Sequence, residues 1–179
     1  MMRLLTSHIL FLCMAVIYTS AWAQSKDTGI TECDRLAASS YDVQAVTKGI
    51  EIKNILPDEA IDACLRAIEQ SPDNARLQYQ LARSYHVGFD YPKALRFYRK
   101  AAEQNYAVAQ HNLGNMYLKG EGVTKDGVEA MHWLRKAAEQ GLSISQRNLA
   151  GMYRDALGVT KDEREAVRWY LKAAEQGDS

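Results

Sequence analysis

Residues 107–142, AVAQHNLGNMYLKGEGVTKDGVEAMHWLRKAAEQGL, can be written above residues 143–178, SISQRNLAGMYRDALGVTKDEREAVRWYLKAAEQGD, without a gap. About half of the positions are identical, and the phrase KAAEQG returns at 136–141 and 172–177, with RKAAEQN at 99–105 as a near copy. A catalytic motif normally occurs once per site. Self-similarity at a fixed period of about 20–50 residues instead specifies a stack of supersecondary units, each burying its apolar face only against its neighbours.

Each unit divides into two helices. Leu113, Met116 and Tyr117 recur as Leu149, Met152 and Tyr153, an i, i+3, i+4 stripe that predicts one buried helical face. GEGVTKD then breaks the pattern, because Gly120 and Gly122 permit the positive φ of a tight loop. Asp126 with Glu129, repeated as Asp162 with Glu165, predicts an N-cap followed by a capping-box carboxylate. Ala130, Trp133, Leu134 and Ala137, echoed by Ala166, Trp169, Tyr170 and Ala173, give the second helix its buried face. KAAEQG is the end of that helix. Its alanines allow a close helix approach, and Gly141, Gly177 or Asn105 takes the left-handed C-terminal position.

Residues 75–106 form a shorter copy, in which Leu81, Ala82, Tyr85, Ala94, Tyr98 and Ala101 follow the spacing of a tetratricopeptide repeat. The longer loop of the later units, together with NLGNMYLKGEGVTKDGVEAMHWLRKAAEQG at 112–141, resembles the Sel-1-like repeat, a relative of the tetratricopeptide repeat. The third copy departs from that pattern where Gly114 becomes Ala150 and Gly120 becomes Ala156, so a slightly different loop and helix crossing are expected there. The resemblance implies an all-α, right-handed solenoid of antiparallel helix pairs, with repeats at 75–106, 107–142 and 143–178. Upstream, Ala60, Cys64, Ala67 and Pro72 match one second helix, so 32–74 reads as an N-terminal cap with a degenerate unit whose first helix is not recognisable in YDVQAVTKGIEIKNI. The last helix, with Trp169, Leu171 and Ala174, is expected to leave apolar surface open to a partner or a second copy.

The N-terminus reads as a secretory signal. One Arg precedes the apolar stretch ILFLCMAVIY, and TSAWA ends in small-x-small, which sets cleavage after Ala23. Residues 24–31 are then a disordered lead-in to a 156-residue chain in the bacterial envelope, periplasmic or secreted, with no membrane span left after cleavage. Without Arg3, 21 basic side chains stand against 22 acidic ones, and that balance points to neither nucleic acid nor an anionic membrane. The two cysteines left, Cys33 and Cys64, read as a disulfide in an exported protein; two buried thiols are the alternative, and no CxxC or HxxxH spacing argues for metal.

No constellation for chemistry stands out, and no cofactor is expected. His86, His111 and His132 fall in different helices without a local acid and read as surface or boundary residues. The paired carboxylates are explained by capping, and GEGVTKD lacks the GxxxxGK[ST] arrangement of a phosphate cradle. Cysteine-rich Sel-1-like proteins make a hydrolase or binder of β-lactam or cell-wall amides the alternative function, yet no cysteine follows Cys64.

The resemblance favours a non-enzymatic protein-binding scaffold. In tetratricopeptide-like arrays the first helix of each unit lines the inner surface. Carried over by register from Leu81, Leu113 and Leu149, the lining is Arg76, Tyr79, Arg83 and His86, then Val108, His111, Asn115 and Lys119, then Ile144, Arg147, Arg154 and Asp155. That is a cationic strip with one acid. It suits an acidic segment of a protein or peptide partner, with Arg83 and Arg147 making bidentate contacts to carboxylates.

Overall fold

The computed structural model describes residues 30–38, 51 and 54–177. The signal reading of 1–23 and most of the lead-in lie outside these residues. Among the described residues there are eight helices: α1 (Glu32–Ala37), α2 (Pro57–Gln70), α3 (Ala75–Val87), α4 (Tyr91–Glu103), α5 (Ala107–Lys119), α6 (Gly127–Glu139), α7 (Ser143–Asp155) and α8 (Glu163–Ala174). From α2 onward each packs on the next in sequence, so the chain is an all-helical solenoid in which α3/α4, α5/α6 and α7/α8 are the three repeated pairs. No described helix is long and apolar enough to cross a membrane.

The apolar stripes meet in one continuous core. Leu81, Leu113, Leu134 and Leu149 are fully buried there, with Met116 and Met152 almost fully so. Small residues set the approach within a pair. A Cβ at Gly114 would lie 2.7 Å from Cγ of Leu134 and 3.0 Å from the Ala130 carbonyl, so α5 and α6 touch backbone to side chain. In the next copy Ala150 replaces the glycine and Tyr170 replaces the leucine, and α7 pairs with α8 all the same.

Caps fix the helix starts. Asp126 accepts from the backbone N–H of Val128 and Glu129, Asp162 from those of Arg164 and Glu165, and Asp90 and Asn74 each accept from the N–H three residues on. The expected capping box is only half made. The N–H groups of Asp126 and Asp162 donate to the carbonyls of Tyr117 and Tyr153 at 3.1 and 3.0 Å, which leaves Glu165 to pair with Arg168. This long-range bond ties the loop of each repeat to its own first helix.

Left-handed residues end the helices. Asn105, Gly141 and Gly177 have φ of 65°, 90° and 81° after α4, α6 and α8. Within the loops Gly120 and Gly122 are left-handed, and in the third copy Ala156 takes the same conformation at φ 57° beside Gly158. The loop is therefore kept and the alanine carries the strain. Gly158 packs so closely that a Cβ would lie 2.0 Å from the Gly127 carbonyl, as one at Gly122 would lie 2.7 Å from that of Tyr91. Each extended loop thus seats on the start of the preceding pair's second helix.

Upstream of the pairs, α1 is short and its Cys33 is bonded to Cys64 of α2. Both cysteines are fully buried.

Candidate functional site

The first helices α3, α5 and α7 carry the residues expected to line the inner face, and the structure divides them into two groups. Those on α3 are consumed by the fold. Arg83 is buried and donates from Nη1 to the carbonyls of Ala37, at 3.0 Å, and Ala38. Arg76 pairs with the fully buried Asp34, which also accepts from Gln80 at 2.9 Å. Tyr79 is a core residue lying 5.8 and 5.4 Å, ring to ring, from Tyr98 and Tyr106. The expected Arg83 contact to a partner carboxylate is therefore corrected: two backbone carbonyls of the chain's own N-terminal segment take its guanidinium, while the buried aspartate there takes Arg76. An arginine buried by backbone carbonyls cannot also present its fork to solvent.

His86 sits at the C-terminal end of α3, and its Nε2 lies 2.9 Å from Oε2 of Glu121 in the next repeat. His86 is a boundary residue with no acid local in sequence, as expected, and the acid it meets comes from the extended loop 35 residues on. Lys119 approaches the same carboxylate at 3.7 Å.

The second group forms a polar shelf between α5 and α7. His111 is buried rather than at the surface, and it bridges the two helices. Its Nε2 lies 2.8 Å from the Asn115 amide nitrogen, and its Nδ1 lies 2.8 Å from Oγ of Ser145. An amide N–H can only donate, so Nε2 accepts and Nδ1–H donates to the serine. Asn115 in turn accepts from Asn148 at 3.1 Å. Burial, then the charges of Arg147 and Lys119, pull the His111 pKa down to about 4, which holds the imidazole neutral.

Both of those cations are exposed. Arg154, further along α7, is exposed too, but its guanidinium is engaged edge-on by Asp155 with two contacts of 2.8 Å. Val108 is buried and Ile144 half-buried, both as packing residues. The shelf between the two helices carries half-buried Asn115 and Asn148 with exposed Lys119, which also approaches Glu121, and exposed Arg147 around a neutral histidine.

Sequence reasoning missed a second polar system, and it explains the Gln of KAAEQG. Gln104, Gln140 and Gln176 each donate to Oε1 of a glutamine on their own pair's first helix: Gln78 at 2.7 Å, Gln110 at 2.6 Å and Gln146 at 2.8 Å. Gln110 and Gln146 then donate to the carbonyls of Ala102 and Ala138 of the preceding pair, both at 3.1 Å. The signal was available in the matched Gln110 and Gln146, which recur with the period. Between pairs, Arg99 donates to Tyr117 Oη, and Arg135 donates to Tyr153 Oη at 2.7 Å.

This arrangement is structural polarity with an exposed cationic edge. Among the described residues no group of three His, Cys, Asp or Glu side chains is placed to hold a metal ion.

The Sel1 repeat family matches this chain three times in succession, at 75–106, 107–142 and 143–178. The chain belongs to the Sel1 repeat family. The match takes in the shorter first copy as well as the two long ones. A Sel1 repeat protein from Oxalobacter formigenes is similar in structure at a TM-score of 0.60 and 34% identity, covering 63% of this chain and 91% of that one. A protective antigen of uropathogenic Escherichia coli with an SLR fold gives a TM-score of 0.64 and 35% identity over 78% of this chain and 29% of its own. An uncharacterized protein of Neisseria meningitidis serogroup B is 44% identical over 50 residues, which is 26% of this chain and 11% of that relative's length. Sel1 repeats typically serve as scaffolds for protein–protein interaction.

Proposed function

We propose that this Sel1 repeat protein is an exported, non-enzymatic scaffold of the cell envelope that holds an acidic segment of a partner protein against the first-helix face. The observation that supports this most is the shelf between α5 and α7. Lys119 on α5 and Arg147 on α7 both bear on buried His111, so two exposed cations, the first also 3.7 Å from Glu121, share one site with the Asn115–Asn148 pair. Carboxylates entering there meet two charges and the Asn115 and Asn148 amides. Segment 32–74 acts as the N-terminal cap of the array, and α1 occupies the α3 end of the same face, so partner binding is confined to α5 and α7.

The test is to replace Lys119 and Arg147 with Glu and compare what the two proteins retain from an extract of the producing cell. The partner identified with the native protein is then titrated against both. Binding that survives both charge reversals at low salt would sink the reading. The alternative, a hydrolase of β-lactam or cell-wall amides, is decided by incubating the purified chain with such amides and following ring opening or amine release.

A second contact is favoured by α8, where Val167 and Leu171 are 57% and 60% exposed while Trp169 is buried. Trp169 lies on the buried stripe as expected, with Arg168 and Lys172 over its ring, and the open apolar surface of this helix is Val167 and Leu171. Light scattering of the purified protein reads self-association through Val167 and Leu171, and their replacement by Ser abolishes it.

A further inference from the structure

On the exposed side of the second helix α6 lies a groove of about 400 Å³, closed at one end by the loop of the following repeat. Its apolar end is made by Val128, which is 66% exposed, and Met131. Gly158 lets the loop come down against Gly127 and Val128, since any side chain there would overlap their backbone. Along the rest of the groove stand His132, Arg135 and Lys136, at i, i+3 and i+4 on one face of the helix.

These three side chains are positioned by uncharged neighbours. Arg135 donates from Nη2 to Tyr153 Oη, which steers its guanidinium without neutralising it. Lys136 Nζ lies 4.8 Å from the Trp133 ring centroid, and His132 meets the same indole edge-on at 5.1 Å. None of the three has an acid within ion-pair distance among the described residues, in contrast to Lys93, Lys119, Arg154, Lys161 and Arg168. The set is also complete in this repeat alone: the preceding pair has Arg99 and Lys100 but Arg96 in place of His132, and the following one has Leu171 in place of Arg135.

We infer that this groove is a docking site for a polypeptide segment carrying an apolar anchor next to a carboxylate, a site separate from the α5/α7 shelf. The inference rests on the scaffold reading of the protein and assigns it a second surface. A charged group alone would leave Val128 and Met131 wet, and an apolar group alone would desolvate Arg135 and Lys136 without compensation. The volume is at the low end for a pocket that takes a small molecule, and suits a few side chains better than a whole helix. Glu139, at the far end of α6, repels a second acid there and sets the direction of the segment.

The experiment is to select short random peptides displayed on phage against the folded 179-residue protein, and to retest the enriched peptides against Lys136→Gln, Arg135→Gln and Lys119→Ala/Arg147→Ala variants. Arg135→Gln also gives up the Tyr153 contact, so the exposed Lys136→Gln change keeps the test independent of folding, which circular dichroism checks. The expected result is peptides pairing Leu, Met or Phe with Glu or Asp, weakened about tenfold or more by either α6 change and indifferent to the shelf variant. Enriched peptides without acids, equal binding to Lys136→Gln, or no enrichment overturns the site. Peptides lost only in the shelf variant overturn it while upholding the scaffold reading. Displacement of every enriched peptide by dodecanoate at equal potency would assign the groove to an acyl chain and overturn a polypeptide occupant.

Discussion

Gln140 Nε2 donates to Gln110 Oε1 across 2.6 Å, joining the end of one helix to the start of its partner 30 residues away in sequence. The acceptor is almost fully buried and spends its own N–H on the Ala102 carbonyl of the preceding pair, so one amide serves two joints. Removing Gln110 orphans groups on both sides. Gln110→Ala should lower stability in urea by about 1–3 kcal/mol, the scale of a buried polar group left unpaired. Gln140→Ala, where solvent reaches the site, should cost about 1 kcal/mol. Equal effects from the two changes would contradict the hierarchy.

The left-handed residues can be told apart by substitution. Gly141 has open space around its missing side chain, so Gly141→Ala carries only the conformational penalty of about 1–2 kcal/mol. Gly158→Ala adds a collision with the Gly127 backbone and should cost clearly more or displace the loop. Ala156 already bears the strain, and Ala156→Gly should raise the midpoint of thermal unfolding, a gain of about 0.5–1 kcal/mol after the extra freedom of the unfolded chain is counted.

His111 gives stability a slope with pH. Its folded pKa of about 4 lies below the ordinary 6.5, so the unfolded chain takes up a proton that the folded protein refuses. Above pH 6.5 both states are neutral and the residue contributes no slope. Between 6.5 and about 4 stability falls as pH falls, by about 3 kcal/mol in all from this group. His111→Gln should flatten that part of the profile in urea titrations at successive pH values, even though it weakens the bridge to Ser145.

The N-terminal staple makes a separate prediction. Cys33 and Cys64 close a loop of 31 residues, worth about 3–4 kcal/mol by the entropy of the unfolded chain. Cys33→Ser/Cys64→Ser should lose that much and release α1 first, which hydrogen exchange at Cys33–Ala37 would register before exchange in α5 to α8. Asp34→Ala in the intact disulfide form should also destabilise, because Arg76 and Gln80 lose a buried acceptor.

The architecture was legible because period and stripe are properties of spacing. Leu113, Met116 and Tyr117 reveal a buried face without any knowledge of what covers it, and Asp126 reveals a helix start two and three residues before the N–H groups it accepts from. The inner-face residues were legible only as positions. Whether Arg83 meets solvent depends on the carbonyls of Ala37 and Ala38, and backbone acceptors leave no mark in a sequence. His111 was misread for a related reason: Ser145 lies on the next first helix, outside any local window. Short-range caps can be read from one strand of text, whereas bonds between repeats can be read only by setting copies side by side.

The seating of Gly122 on Tyr91, and of Gly158 on Gly127, gives the array a counting rule. Every joint asks the same question of its neighbour: a loop glycine below, a helix start above, a tyrosine carbonyl to close the loop. A duplication of 36 residues cut anywhere in the long repeats supplies all three answers at once, and the shorter unit at 75–106 still receives the next loop at Tyr91 because only its own loop is trimmed. The molecule can therefore grow or shrink by whole units with its joints intact, and the length of its binding faces becomes a quantity that gene duplication sets in steps.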